Sequence, residues 1–333
     1  MESGDRAGGG KPGKRWQRVV LSAMLTLLVV PAVAWFARGD LHALADWNLA
    51  WGSFLAVLPF YVLAVVARGA RLKLILRTRG SLATCSSISA IHVMMTKVLP
   101  FMTGELTLPL LLKRQGIAGY LVGSGVLVGL RFIDFLVLFA SLFLSALLAR
   151  PDYLSEFGLH VAAGFVLCLA GFGVVVALLL RLLPSPAWVR RWLPEAREVV
   201  PGAGGTRGDL VRILAGCTGL TAVAWTVVFV SYAALLPWAG VAGLTPAQAV
   251  LACTAASAAG LLPVNTFLSL GTWEAGWAAS LYLVGVDPSF GVVVGFRMHV
   301  AMFVFNAAYA LMGLWVLGRK PGQGGAAGTG AGA

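Results

Sequence analysis

The chain has 333 residues, of which 59% are hydrophobic and only 11% are charged, and its formal net charge is +12. Soluble domains carry about 25% charged residues, so this chain lacks the polar surface that a water-exposed globule needs. The composition therefore excludes a soluble enzyme, a nucleic-acid-binding protein and a secreted disulfide scaffold as descriptions of the whole chain. It predicts an all-α, polytopic integral membrane helix bundle.

Six stretches are long and apolar enough to cross a bilayer, at roughly 20 residues per crossing. In chain order they are 19–37, 49–67, 117–149, 159–180, 213–236 and 291–318. Two further apolar stretches, 82–112 and 247–286, are interrupted by proline, glycine and acidic residues. The basic N-terminus is typical of a secretory signal, but the apolar run behind it is longer than a signal core and predicts an uncleaved helix.

The distribution of lysine and arginine predicts the orientation of these spans. Twenty of the 25 basic residues fall in the N-terminal tail, after the second span, after the first interrupted stretch, in the 181–212 loop and at the C-terminus. The loops assigned to the other side hold only Arg38 and Arg150. This asymmetry predicts a multi-pass protein of the plasma membrane with both termini in the cytoplasm.

With this orientation, each interrupted stretch becomes a re-entrant hairpin. The first has cytoplasmic charges at both ends, so it enters and returns on the same side, whereas the second enters from the outside. Each half then runs span, span, hairpin, span, and the second half is inverted, as in many secondary transporters. The predicted organisation is a disordered tail at 1–14, one transmembrane domain at 15–320 with halves near 15–150 and 159–318, and a disordered tail at 321–333.

Six charged residues remain at membrane depth, three basic and three acidic: Lys97, Glu105, Arg131, Asp134, Glu274 and Arg297. Each costs about 2.5–3.5 kcal/mol at the centre of a lipid-facing helix, so the group indicates a buried polar site. Structural roles stay open for several of them. Arg131 and Asp134 share a helix face and are equally suited to a structural ion pair.

The other charged positions have alternatives of their own. Lys97 is suited either to the site or to a position near the hairpin tip or the interface. Glu105 and Glu274 lie in glycine-containing turns, where a carboxylate can simply cap a helix start. Arg297 has no acid three or four residues away, so it needs a partner from elsewhere, either Glu274 or the phosphate of a ligand. Asn265 is expected to satisfy freed backbone groups at the second hairpin.

Motifs of catalysis are absent from the sequence. It contains no Walker A loop, Gly-x-Ser-x-Gly elbow, His-Glu-x-x-His helix or dinucleotide fingerprint. The two intramembrane histidines, His92 and His299, have no second ligand at helical spacing, and hydrogen-bonded roles are favoured over a metal site. No cofactor is expected, and the chain is predicted not to be an enzyme.

Short motifs mark the two interrupted stretches and the spans behind them. The first half contains Leu99-Pro-Phe-Met-Thr-Gly-Glu105 and then Arg131-Phe-Ile-Asp134. The second contains Leu262-Pro-Val-Asn265, Gly271-Thr-Trp-Glu274 and the late Arg297. Together they resemble the lysylphosphatidylglycerol synthase transmembrane-region family, also called flippase-like domain proteins, over roughly residues 15–320.

This resemblance implies a membrane module that handles lipid. Some members move aminoacylated phospholipid between leaflets, and others are associated with polyprenyl-linked glycans or hopanoids. The site positions implied by the resemblance are Pro100, Gly104, Glu105, Arg131 and Asp134 in the first half and Pro263, Gly271, Glu274 and Arg297 in the second. The resemblance does not extend to the soluble aminoacyl-transferase domain of the full-length synthase, so lipid aminoacylation by this chain is not expected. The second hairpin is longer between Pro263 and Glu274 than the first between Pro100 and Glu105.

Two functions follow as hypotheses. The first is a translocase for a phospholipid or a lipid-linked headgroup, in which Arg131 and Arg297 hold the phosphate. Glu105, Glu274 and Asp134 would then set the charge balance, bind a cationic headgroup or carry a coupling proton. The second is a non-transporting membrane subunit that presents a lipid to a separate synthase or glycosyltransferase. An intramembrane enzyme with paired carboxylates is disfavoured, because no nucleophile or metal set accompanies the acids.

Overall fold

A computed structural model describes residues 26–40, 51–77, 80–100, 103–149, 207–259 and 266–319, together with the single residues 24, 163 and 166. Every regular element in these ranges is helical, which confirms the predicted all-α membrane class. The 159–180 span lies outside the described residues apart from residues 163 and 166. The tails at 1–14 and 321–333, the 181–206 part of the loop, Pro263 and Asn265 also lie outside them.

Nine α-helices make up the described part of the chain. They are α1 (Thr26–Phe36), α2 (Trp51–Leu76), α3 (Leu82–Val98), α4 (Thr107–Arg114), α5 (Tyr120–Ala149), α6 (Arg207–Leu235), α7 (Pro246–Ala259), α8 (Thr272–Tyr282) and α9 (Pro288–Gly318). Single 3₁₀ turns at Thr103–Leu106 and Phe267–Ser269 precede α4 and α8.

Four of these helices are long and apolar enough to cross a membrane. The qualifying segments are Gly52–Leu76, Tyr120–Ala149, Val211–Leu235 and Pro288–Gly318, in α2, α5, α6 and α9. They correspond to the predicted spans at 49–67, 117–149, 213–236 and 291–318. The described part of α1 lies within the predicted 19–37 span but is shorter than a crossing.

The predicted end of the second span, at Ala67, is wrong. α2 continues to Leu76, and its inner face stays apolar, with Leu72 and Leu76 almost fully buried. Gly69 lets this extension lie directly on α3, because a Cβ there would come within 2.5 Å of the Cα of Ser86. Consequently Arg68 and Arg71, which the prediction placed in a cytoplasmic segment, are residues of the helix.

The two interrupted stretches each form a pair of short helices, α3 with α4 and α7 with α8. The hydroxyl of Ser81 caps α3 by accepting a hydrogen bond from the N–H of Thr84, and α3 ends just before Pro100. α8 begins after Gly271, whose φ of 80° lies in the region that favours glycine. α3, the longest of the four helices, has 17 residues and is about 26 Å long, which is less than the bilayer core of about 30 Å.

The helices of the two halves pack in a reciprocal pattern. α2 lies against α6, its counterpart in chain order. α3 packs on α9 of the other half, and α7 packs on α5. The second helix of each pair packs on the span that follows it, α4 on α5 and α8 on α9. In chain order α2, α3, α4 and α5 correspond to α6, α7, α8 and α9. If corresponding helices are exchanged, the α3–α9 contact becomes α7–α5, the α4–α5 contact becomes α8–α9 and the α2–α6 contact is unchanged.

Aromatic side chains form the centre of the larger hydrophobic core, between α2 and α9. The rings of Phe54 and Phe305 lie 4.7 Å apart, and those of Tyr61 and Phe305 lie 5.9 Å apart. Trp277 of α8 is also fully buried in this cluster. Large rings filling the space between helices contribute strongly to packing, and Tyr61 also borders the cavity described next.

Candidate functional site

A cavity of about 360 Å³ lies between the two halves of the protein. Helices α2, α3 and α5 border it on one side, and α6, α7 and α8 border it on the other. Its charged lining residues are Arg68, Arg71, Lys97, Glu105, Arg131 and Asp134. Four basic and two acidic side chains give these walls a formal charge of +2. Arg131 lies eleven residues into α5, about 17 Å along its axis, so the cavity borders the interior of a helix that is long and apolar enough to cross a membrane.

Arg71 and Asp134 form a buried ion pair between α2 and α5. The guanidinium donates two hydrogen bonds to the carboxylate, Nη1 to Oδ1 at 2.6 Å and Nη2 to Oδ2 at 3.1 Å. From α6, the hydroxyl of Thr221 accepts a further bond from Arg71 at 2.9 Å, and the indole N–H of Trp225 donates to Asp134 at 3.2 Å. Three helices therefore supply polar partners to this buried pair, as burial of charge requires, and of the guanidinium nitrogens only Nε of Arg71 has no hydrogen-bond partner among the described residues.

Arg131 pairs with Glu105 rather than chiefly with Asp134. Its Nε donates to Oε2 at 3.0 Å and its Nη2 donates to Oε1 at 2.5 Å, the two-bond geometry typical of arginine and carboxylate. Asp134 is 3.5 Å from Nη1 of Arg131, so the predicted contact along α5 exists but is the longer one. The Arg131 and Glu105 side chains are 28% and 19% exposed, unlike the Arg71–Asp134 pair.

His92 of α3 completes this group. The hydroxyl of Thr107 donates its proton to the carbonyl of Gly104, so it accepts a hydrogen bond from Nδ1 of His92 at 3.1 Å. The Nε2 atom is then free to accept from Nη2 of Arg131, 3.4 Å away. This agrees with the predicted hydrogen-bonded role. Among the described residues, no three His, Cys, Asp or Glu side chains form a metal-binding group.

Lys97 and Arg68 each lie over an aromatic ring of the second half. The Nζ atom of Lys97 is 3.9 Å from the ring centre of Trp273, and the Cζ atom of Arg68 is 5.9 Å from that of Trp225. The backbone carbonyl of Lys97 also accepts a hydrogen bond from the hydroxyl of Ser269 at 3.2 Å. At Lys97 the two interrupted helix pairs therefore touch.

Glu274 lies on α8 and Arg297 lies on α9, and each has partners of its own. Glu274 accepts a hydrogen bond from the N–H of Gly271 at 2.6 Å, which caps the start of α8, and its other oxygen lies 2.6 Å from Nδ1 of His299. Arg297 donates from Nη1 to the carbonyl of Ala239 at 2.9 Å. Neither Glu274 nor Arg297 is among the described residues that line the cavity.

The structure thus brings four of the predicted site residues together in the cavity, namely Lys97, Glu105, Arg131 and Asp134. Gly104, next to Glu105, packs directly against the backbone of α3, because a Cβ at this position would come within 2.5 Å of the Cα of Thr96. Pro100 and Gly271 lie at helix breaks.

Sequence reasoning missed Arg68 and Arg71. The signal that identifies them is the spacing of Leu72, Ile75 and Leu76, which continues one helical face through the basic cluster.

The fold and the site together define a class: a polytopic helical membrane protein with a basic cavity bordered by residues of both interrupted helix pairs and of the long helices α2, α5 and α6. The family model described as lysylphosphatidylglycerol synthase TM region matches residues 15–310, nearly the whole chain, and the chain belongs to this family. The family's description refers to the transmembrane region of the synthase, and this is the region that matches. No curated protein and no solved structure matches the chain.

Proposed function

We propose that this protein is a lipid translocase, which moves a phospholipid or a lipid-linked headgroup between the leaflets of the cytoplasmic membrane. The observation that carries the proposal is the cavity, which combines a formal charge of +2 with a volume of about 360 Å³ and is bordered by helices long and apolar enough to cross a membrane. That volume falls in the range of small-ligand sites. A phosphate ester supplies the negative charge that these walls lack, while the acyl chains stay in the surrounding lipid.

The reciprocal packing of the helices supports an alternating-access mechanism. Two inverted halves with re-entrant hairpins place a binding site at the repeat interface, and rocking of one half against the other opens it to each leaflet in turn. The walls of the cavity come from both halves of the chain, which supports a binding site of this kind. The proposed topology keeps the six crossings, the two re-entrant hairpins and the cytoplasmic termini that the charge distribution predicts.

The Arg131–Glu105 pair is the part of the site that changes on binding. Both side chains are partly exposed to the cavity, so an incoming phosphate competes with Glu105 for the guanidinium. Glu105 is then released to bind a cationic headgroup or to accept a coupling proton. The Arg71–Asp134 pair is buried and bonded to a third helix, and it holds the cavity wall in place.

Glu274 and Arg297 remain proposed binding residues, at a second position next to the cavity. Trp273 connects the two places, because its indole lines the cavity and its ring centre is 6.1 Å from that of His299, the partner of Glu274. The capping bond from Gly271 supports the alternative role of Glu274 as a helix cap. We further propose that the protein is not itself an enzyme and requires no cofactor.

Reconstitution into vesicles tests the translocase. Protein in phosphatidylcholine vesicles with fluorescent phosphatidylglycerol is expected to move label between leaflets, measured as loss of the dithionite-protected fraction. Because both variants break the exchangeable pair, Arg131→Gln and Glu105→Gln should each slow this movement about tenfold. Arg319→Gln, at the exposed C-terminal end of α9, is the matched control and should retain the wild-type rate.

Two results would overturn this proposal. Label movement no faster than in protein-free vesicles would remove the translocase function. A stable stoichiometric synthase or glycosyltransferase, recovered with the protein in mild detergent, would then favour the lipid-presenting subunit. Wild-type rates in both pair variants would remove the assigned roles of Arg131 and Glu105.

A further inference from the structure

The basic residues of the cavity fall into two kinds. Arg71 and Arg131 each hold a carboxylate through two hydrogen bonds. Lys97 and Arg68 have no carboxylate within ion-pair distance among the described residues, and each instead lies over an indole of the second half. These two cations therefore carry the positive charge that the acids of the cavity do not neutralise.

The placement of Lys97 is costly unless an anion joins it. Its side chain lines the same cavity as those of Arg68 and Arg131, and like charges that share one site destabilise each other. A cation at membrane depth is expensive and usually marks a substrate or ion pathway. The bond between the backbone carbonyl of Lys97 and Ser269 does not involve the ammonium, whose described contact is with the ring of Trp273.

We propose that Lys97 and Arg68 bind the phosphate of an anionic phospholipid and select it over zwitterionic lipids. This inference rests on the proposed function and names its substrate class. A cation over an indole gains about 0.5–2 kcal/mol, and a bond to phosphate is stronger, so both side chains can leave their rings for the ligand. Leu127, Phe135 and Val228 line the same cavity and suit the glycerol and acyl part of a lipid better than a free ion.

Lipid binding by the full chain tests this assignment. Protein in maltoside micelles is mixed with equal amounts of phosphatidylglycerol and phosphatidylcholine, and native mass spectrometry counts each bound lipid. Lys97→Gln and Arg68→Gln should each reduce the ratio of bound phosphatidylglycerol to phosphatidylcholine about tenfold. Arg319→Gln is the matched control, since this arginine also lies over an indole, 3.4 Å from the ring centre of Trp315, but is outside the cavity lining.

Charge-conserving variants separate binding from folding. Lys97→Arg and Arg68→Lys should keep the lipid preference, and all variants are compared by gel filtration and melting temperature. An unchanged preference in both glutamine variants would overturn the proposal. The proposal would also be overturned if the conservative variants lost the lipid preference as completely as the glutamine variants. In that case the positive charge would not be the cause of the preference.

Inorganic phosphate distinguishes a lipid from a soluble ligand. Saturable phosphate binding that Lys97→Gln abolishes, with phosphatidylglycerol retention unchanged, would assign the site to free phosphate and overturn the lipid assignment. The binding readout does not depend on transport. If the wild type binds phosphatidylglycerol selectively but moves no label in vesicles, the proposed function fails and this site stands. If the glutamine variants bind normally while transport proceeds, the site fails and the translocase stands.

Discussion

At the scale of single residues, the partner of each charge decides what the charge can do. Asp134 is held by Arg71 of α2 and by Trp225 of α6, so it is occupied and buried. Arg131, three residues earlier on the same helix, consequently reaches Glu105 and stays partly exposed to the cavity. Helical spacing predicts the Arg131–Asp134 contact, but it contains no information on a stronger partner 63 residues away.

We predict that Arg71→Met destabilises the protein by about 3–5 kcal/mol, the usual cost of leaving one charge of a buried pair without its partner. Methionine keeps much of the apolar stem but provides no hydrogen bond to Asp134. The change is measured as a lower melting temperature of the purified protein in detergent.

Two variants make this measurement specific. Lys73→Met, on an exposed position of the same helix, removes an equal charge and should melt close to the wild type. The double variant Arg71→Met with Asp134→Asn should recover part of the loss, because no buried charge is then left alone. Wild-type melting of Arg71→Met would show that the pair is not structural.

At the scale of elements, backbone contact between short helices positions the acidic side of the cavity. Gly104 lies against the last turns of α3, where Met95 and Thr96 leave no room for a side chain. Glu105 follows at once and is thereby held opposite Arg131. Pro100 and Gly104 allow the break to be predicted from sequence, whereas the glycine's contact surface depends on how the pair folds back.

We predict that Gly104→Ala displaces the turn and destabilises the protein by about 1–3 kcal/mol through overpacking. Since Glu105 moves with the turn, lipid movement in vesicles should also slow. Gly125→Ala is the matched control, because a Cβ at Gly125 on α5 meets nothing within 4 Å. Equal transport rates and melting temperatures for the two variants would contradict the role given to Gly104.

At the scale of the whole molecule, the described helices form a bundle of two halves that pack reciprocally, and residues of both halves line the charged cavity. The basic residues predict which ends face the cytoplasm. Packing between helices is unchanged by turning the molecule over, so it carries no information about the side of the membrane. Chemical labelling of the protein from each side of the membrane can determine this orientation.

We predict the accessibility of four single cysteines placed at exposed ends of the interrupted pairs, in a variant whose native cysteines are replaced. Ala83→Cys and Gln115→Cys, at the start of α3 and the end of α4, should react only from the cytoplasmic side. Ala242→Cys and Leu283→Cys, flanking α7 and α8, should react only from the outside. Membrane-impermeant maleimide on inside-out and right-side-out vesicles measures this directly.

The pairs are informative because re-entry requires both ends to share one side. If Ala83→Cys and Gln115→Cys react from opposite faces, the first stretch crosses the membrane and the inverted repeat is lost. If all four positions react from one face, the halves are not inverted.

The sequence by itself determined the membrane class, four of the spans and the places where helices break, because hydropathy, chain length and proline or glycine act locally. It also identified Lys97, Glu105, Arg131 and Asp134, since a charge within an apolar stretch is visible without knowledge of its neighbours. Only the tertiary structure decided the partners of those charges, the entry of Arg68 and Arg71 into the cavity, and the separation of Glu274 and Arg297 from it. The physical reason is that the energy of a buried charge depends on groups brought near it by packing between distant helices.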